Sequence, residues 1–513
     1  MKKLKLIIVF SLICAMAEAQ SVQITGVRGR EFRGVSSILD SKNNAVGHYT
    51  FYVGEKVKKG LVEFVLEIYD LDLKLIKKTP IQLPKNAIMQ GGEFNGKDFM
   101  FMFFDYKKKS NIFITFDSKG EIIKKVSKAS RKGVTAGTTK IFPSRDGSGF
   151  YVTKQVKEKR WGYAVEKFDR NITSKWKKTI SRPKGMISIA SAVGGDDRFV
   201  VVSIEQPTLM SKKRTAKVIS HNGQTGDKEY EVNLYDGKIS RVPSAFLIDE
   251  KGNFIMSGMY YEGPKFTGPN SDGIYFTKIS PEGKVLFENS LDWKGGDIQK
   301  ALKATSKKTS IGSKPKVMFH DITVDENGKY QVVAETFRKT VRGGAMAAKL
   351  LAGASGGGSA GTSMGFTVMD FIIFNYDAEG KPIDINKIAK PYKSITVEAA
   401  GQLTGIKLAA YMKSLGLFTY NFISETKSGK KVVVFTNFEK PKGVGKGKPY
   451  VGISSIEIGE NSETKKMPLM KKLTNFGKGG RNGAIKSKPG KITTYYYDKK
   501  AKAINIEVND YNF

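Results

Sequence analysis

The sequence is short of the residues that carry most metal and redox chemistry. Its 513 residues include one cysteine and three histidines. Cys14 is the single thiol, and it lies in an amino-terminal segment that reads as an export signal. Lys2, Lys3 and Lys5 form a positive start, and residues 6–16 form an apolar stretch too short to span a bilayer. Ala17-Glu18-Ala19 offers the small side chains that signal peptidase accepts, so the expected mature chain starts at Gln20. The alternative is a lipid anchor on Cys14, but Ile13 stands where a lipobox takes Gly, Ala or Ser. A mature chain without cysteine excludes disulfides, thiol nucleophiles and thiolate-bound metals. A chain of this length buries enough surface to fold without cross-links.

Histidine is as sparse. His48, His221 and His320 are far apart and show no i, i+4 or hairpin spacing for a metal. Each reads as a satisfied turn or surface residue. Acid pairs such as Asp196-Asp197 and Asp70 with Asp72 sit in turns, where carboxylates bond to backbone amides. Asp249-Glu-Lys-Gly252 and Asp325-Glu-Asn-Gly328 resemble fragments of calcium loops. They lack the further acidic ligands and read as hairpin turns. No G-x-S-x-G elbow surrounds Ser144 or Ser454-Ser455. Gly443-Val-Gly-Lys-Gly-Lys448 lacks phosphate-loop spacing and reads as a basic loop. The sequence therefore gives no catalytic residue, no metal ligand and no cofactor site.

What the chain has is lysine, short apolar runs and turns. Lys and Arg number 86 against 49 Asp and Glu, a net charge of +37. For an exported protein, this excess points to anionic envelope surfaces rather than nucleic acid; general solubility is the other reading. Runs such as Phe99-Met-Phe-Met-Phe-Phe104, Phe199-Val-Val-Val202 and Val432-Val-Val-Phe435 are bounded by Gly, Asp, Asn or Lys and read as strands. Helical periodicity is scarce; the best candidates are insertions near 298–304 and 397–412, and residues 345–354 offer a short apolar helix.

Two kinds of turn alternate. One precedes an apolar strand, with starts at Asp40, Asn95, Arg145, Gly195 and Asp249. The other follows an aromatic residue or Ile, as in Tyr69-Asp-Leu-Asp72, Phe116-Asp-Ser-Lys-Gly120, Phe168-Asp-Arg-Asn171 and Tyr376-Asp-Ala-Glu-Gly380. Weaker examples fall near His221, Gly459 and Asp498. The period is about 50 residues with four short strands per unit, the pattern of a propeller blade. The expectation is an all-β fold: a single β-propeller of about seven (six to eight) four-stranded blades over 20–513. Insertions fall near 291–318, 338–366 and 384–415. The last two strands, near 492–497 and 503–508, are expected to complete a blade with an amino-terminal strand at 22–24. A row of β-sandwiches is the alternative, but no Pro- or Ser-rich linker divides the chain.

One insertion stands out. Residues 342–365 are rich in Gly, Ala and Ser and carry only Arg342 and Lys349 as charges. Apolar side chains in a solvated loop call for a partner surface. The expected interaction residues are Arg342, Met346, Lys349, Leu350, Leu351, Met364 and Phe366. A loop packed on its own blade is the competing reading.

The A-E-A-Q cleavage region, the D-x-x-G turns, the basic character and the lysine-rich β-repeats resemble those of exported β-propeller proteins of Bacteroidota. In outline the chain is similar to the Plug-type subunit of the type 9 secretion translocon. That resemblance implies a subunit sealing the periplasmic end of an outer-membrane barrel. The carboxy terminus ends on blade-like strands without an evident sorting domain, which points to residence in the periplasm. The resulting expectation is a non-enzymatic periplasmic subunit of an outer-membrane protein complex, peripheral to the membrane and not spanning it. The alternatives are a glycan or peptidoglycan binder and a propeller-fold glycan hydrolase or lyase.

Overall fold

A computed structural model describes residues 20–28, 34–54, 57, 60–130, 139–157, 160–208, 214–264, 266, 270–294, 298, 316–340, 364–397, 405–439, 448–457, 464–468, 482–498 and 500–511. Residues 1–19, read above as a signal, and all of 341–363 lie outside them. The chain forms two compact units. One comprises Met1–Lys85, Ser424–Lys430 and Met470–Phe513; the other comprises Asn86–Ile423 and Lys431–Leu469.

The strands form eight antiparallel sheets. In seven of them the strands follow one another in chain order: blade 1 over residues 34–84, blade 2 over 87–129, blade 3 over 140–180, blade 4 over 186–233, blade 5 over 239–292, blade 6 over 316–388 and blade 7 over 420–468. Blade 8 joins the two ends of the chain. Asn482–Lys486, Lys491–Asp498 and Ala503–Asp510 are completed by Ser21–Ile24, with Val22 opposite Ile506 and Ile24 opposite Ile504. That pairing matches the sequence expectation. The count is eight, at the top of the expected range rather than seven. The turn near Asp498 joins the second and third strands of blade 8, so it is not of the kind the sequence suggested.

The apolar runs are second strands. Every residue of Asp98–Asp105 is buried, as are Val432 to Phe435 of blade 7. A strand covered on both faces reads as a continuous apolar run. The fourth strands are edges and alternate, as in Ile122–Ala129. Between blades 2 and 3, Met100, Met102 and Phe113 pack on Ile141, Phe150, Val152 and Phe168. Each such side chain contributes about 1.5–3 kcal/mol by leaving water. Close packing also fixes a glycine: a Cβ on Gly92 would lie 2.2 Å from the Phe101 ring, so only glycine leaves room for it.

The acidic turns work as their composition suggests. Asp117 Oδ1 accepts from the amides of Lys119 and Glu121, each at 2.9 Å. Gly120, at φ +88°, donates its amide to the Asp117 carbonyl at 3.0 Å. Asp249 and Asp325 do the same, so the calcium-like fragments are hairpin turns. In blade 3 the glycine place is taken by Ile172, at φ +60° and buried. Its left-handed backbone costs about 1–2 kcal/mol, which its burial among Phe113 and Phe168 offsets. Replacing Asp117 with Ala removes the acceptor for two turn amides. We expect a loss of about 1–2 kcal/mol in urea denaturation, with the native spectrum unchanged.

Two local expectations need correction. The helix near 397–412 is Gly405–Ser414, and of the segment 298–304 only Ile298 is described. The histidines are buried rather than superficial: His48 is fully enclosed, His221 is 4% exposed and the His320 side chain 2%. They lie on strands whose neighbours cover them, which turn-like flanking residues do not reveal.

Candidate functional site

Blade 6 departs from the common plan. Its second and third strands, Tyr330–Thr340 and Met364–Tyr376, run 11 and 13 residues and extend beyond the blade. Pro382–Ile388 pairs with the near half of the third strand, from Phe371 to Tyr376. An added strand, Lys393–Val397, pairs with the far half, from Met364 to Val368. Asp370 stands at the changeover. It pairs with Lys387 at 3.1 Å and accepts the Lys390 amide at 3.2 Å.

The helix Gly405–Ser414 covers this extension. Leu408, Ala409 and Met412 share one face by helical spacing and are buried against Met318, Phe337, Phe366, Val368 and Phe418. Gly416, at φ +63°, ends the helix. Its amide bonds to the Lys413 carbonyl at 3.0 Å, and the Leu417 amide bonds to that of Met412 at 3.1 Å. The long hairpin and the 384–415 insertion, separate in sequence, thus form one structure at the root of residues 342–363.

A buried charge ties it together. Glu335, on the second strand, is fully enclosed. Lys390 Nζ lies 2.8 Å from Oε1, off the axis of an aligned hydrogen bond, and 5.0 Å from the centre of the Phe371 ring. His320 Nε2 lies 3.1 Å from Oε2. The Thr419 hydroxyl donates to Oε1 at 2.6 Å, and the Thr419 amide reaches both oxygens at 3.1–3.2 Å. Burial pushes the carboxyl pKa up, but Lys390 and His320 outweigh it and hold Glu335 down to about 2. Burial lowers the His320 pKa against the pull of Glu335. The imidazole stacks on Tyr420 at 4.8 Å, and the Tyr420 hydroxyl donates to Asp321 at 2.7 Å.

His320 occupies a position that three other blades also use. It is the extra residue of a bulge in the first strand of blade 6. Gln90, Ala190 and Ser244 are the extra residues at the matching places of blades 2, 4 and 5. Blade 6 has turned a shared irregularity into a ligand for its buried carboxylate. With its oxygens enclosed and engaged, Glu335 positions four segments: the first strand, the second strand, the Lys390 connection and residues 418–420.

Of the interaction residues expected from the sequence, Phe366 is fully buried in the helix-covered cluster, so it belongs to the foundation rather than the surface. The Met364 backbone pairs with Val397. Arg342, Met346, Lys349, Leu350 and Leu351 lie outside the described residues. Sequence reading missed Glu335, Lys390 and Thr419. The available signal was an acid placed within the run Val332-Val-Ala-Glu-Thr-Phe337.

A cavity of about 240 Å³ lies between blades 4 and 5, beside Arg241. The guanidinium is clamped by Glu288 and by Asp236, the latter at 2.7 Å. Burial alone would raise the Asp236 carboxyl, but turn amides and Arg241 hold it down to about 2. Both carboxylates are thereby committed to the guanidinium.

Seven four-stranded antiparallel sheets, one of them shared by the two chain ends, and an eighth with an added fifth strand define an eight-bladed β-propeller. The chain belongs to DUF6770, a family of unknown function, whose model matches residues 1–512. No curated protein matches it. The chain is similar to several solved structures. The β-propeller domain of the trilobed protease from Pyrococcus furiosus is 10% identical at a TM-score of 0.38, with 84% of this chain and 97% of that one covered. Prolyl oligopeptidase B from Galerina marginata, in its apo form, is 9% identical at 0.41, with 92% and 56% covered. Quinohemoprotein alcohol dehydrogenase from Comamonas testosteroni is 9% identical at 0.42, with 96% and 76% covered. The chain spans little more than half of the oligopeptidase.

Proposed function

We propose that this protein is a non-enzymatic periplasmic binding subunit that docks onto an outer-membrane protein complex, with a protein-secretion channel of the type 9 kind as the partner. Blade 6 is the mount, and residues 342–365 are the part presented to the partner. One observation carries this reading: blade 6 adds a fifth strand, a covering helix and an enclosed Glu335–Lys390 pair at the root of that segment. A loop that serves only to connect two strands needs no such foundation. The small side chains of 342–365 suit close approach to another backbone. The amino-terminal segment read as an export signal, with cleavage removing Cys14 and leaving Gln20 first, supports work beyond the cytoplasm. Among the described residues, no helix is long and apolar enough to cross a membrane.

The test deletes 343–364 from the full chain and repeats affinity recovery from solubilised membranes. The deleted protein is expected to keep its melting profile and lose its membrane-protein partners. Recovery of the same partners at the same yield would remove the segment, and the mount with it, from the function.

A further inference from the structure

The lysines are sorted between the two ends of the blades. In the larger unit, the first–second turns of neighbouring blades touch, as where the Arg145 amide bonds to the Gly195 carbonyl at 3.1 Å. First–second and third–fourth turns also meet: Arg170 pairs with Asp98 at 3.0 Å, and Arg198 donates to the Pro281 carbonyl at 3.0 Å. These turns therefore share one end, and the second–third turns lie at the other. In blades 2 to 6, the segments at the first end hold thirteen carboxylates and eight cations. Among the described residues, the five second–third segments hold one carboxylate, Asp272, and five cations, Lys107, Lys108, Lys109, Arg160 and Arg214. Neighbouring turns thus reinforce a field of one sign at each end.

At the basic end, blades 2 and 3 join aromatic rings to exposed cations. Tyr106 leads the second–third turn of blade 2, is 51% exposed and is propped edge-on against Phe104 at 4.8 Å. Lys107, Lys108 and Lys109 follow it, all exposed. Asp105 is buried and holds this turn by accepting the Lys107 and Lys108 amides at 2.9 and 3.2 Å. In blade 3, Lys157 Nζ lies 5.5 Å from the Trp161 ring, beside exposed Arg160. Lys184 is exposed in the link to blade 4. Nearby Glu205 is buried and paired with Arg182 at 2.8 Å.

We infer that this end of blades 2 and 3 is a contact surface for an anionic phospholipid membrane. Lysines on fixed turns meet headgroup phosphates, while a half-exposed tyrosine enters the interfacial layer that aromatic rings favour. The acidic turns at the opposite end are repelled, so the field also sets the orientation. The second and third strands of blade 6 leave the blade at the basic end too, so Thr340 and Met364 stand on the proposed membrane side. The surface itself is independent of blade 6: deleting 343–364 leaves all its residues in place.

The test sediments full-length protein with vesicles of phosphatidylcholine containing about one third phosphatidylglycerol. The native protein should pellet with these vesicles, stay in solution with pure phosphatidylcholine, and be released as salt screens exposed charge. Lys107→Glu, Lys108→Glu, Arg160→Glu and Lys184→Glu together should weaken binding at least tenfold at unchanged melting temperature. Four reversals at the acidic end, Lys119→Glu, Lys251→Glu, Lys284→Glu and Lys329→Glu, should leave most of it. Equal loss in both sets would reduce the effect to net charge and overturn the assignment. Tyr106→Ser should weaken vesicle binding severalfold and leave heparin binding intact. Unchanged vesicle binding in that variant would mark a site for soluble polyanions instead.

Discussion

Replacing Lys390 with Met is expected to destabilise the protein by about 3–5 kcal/mol, because it strands the Glu335 carboxylate in a fully enclosed position. The His320 imidazole and the Thr419 groups remain, but neither brings the full positive charge of an ammonium. Adding Glu335→Gln should recover at least half of the loss, since a neutral amide needs no counter-charge and still accepts from Thr419. The urea midpoints of the wild type, both single variants and the double variant measure this coupling. Additive losses would mean that the pair does not act as a unit. The pair contributes positional specificity rather than net stability, because the cost of burying two charges together roughly balances their attraction. A matching prediction concerns the helix: in the Lys390 variant, protease cleavage should begin within 389–418.

Acid is expected to loosen the smaller unit through His48. This imidazole is fully enclosed, with Nε2 3.0 Å from the Thr493 hydroxyl. Burial lowers its pKa from 6.5 to about 4, against the opposing pull of Asp70. The unfolded chain takes up the proton first as pH falls. The stabilising contribution is therefore complete above about pH 6.5 and is lost as pH falls through about 4, amounting to roughly 3 kcal/mol. His221 and His320 are also lowered by burial, so both act with the same sign. Glu335 adds a second loss below its ordinary range, as pH falls from about 4.5 towards about 2. Urea midpoints measured between pH 7.5 and 4 should fall steadily, and His48→Gln should flatten that slope. A slope unchanged by the substitution would show that His48 is not the titrating group.

Much of the architecture was readable because one local device recurs. An Asp that accepts two amides, followed by a residue of positive φ, marks both first–second and third–fourth turns, as at Asp117 and Asp325. The fully covered second strands announce themselves as apolar runs. The pairing of 22–24 with the last strand followed from counting strands. What stayed hidden depends on contacts between distant segments. Blade 7 opens with Thr426 in the capping role, accepting the Lys430 amide at 3.0 Å, so its turn lacks the acidic signal. Lys390 lies 55 positions from Glu335, and no spacing rule links them. The sorting of the lysines follows turn class, which is defined only once the strands are paired. Histidine burial was missed for the same reason: turn-like neighbours say nothing about the blade packed above.

These observations describe a molecule with a division of labour. Enclosed second strands supply stability, and acidic turns lock one end. The other end gathers cations and aromatic rings, and blade 6 adds a reinforced mount there. In the proposed role, the molecule is a scaffold held at a membrane surface that presents one segment to a partner.

Site-specific photo-crosslinking in the native envelope tests that account most directly. A photoreactive residue at position 350, in the Gly/Ala-rich segment, is compared with one at position 119, in an acidic-end turn. The account predicts adducts with an outer-membrane protein from position 350 and none from position 119. No adduct at 350, or the same adducts from both positions, would contradict it.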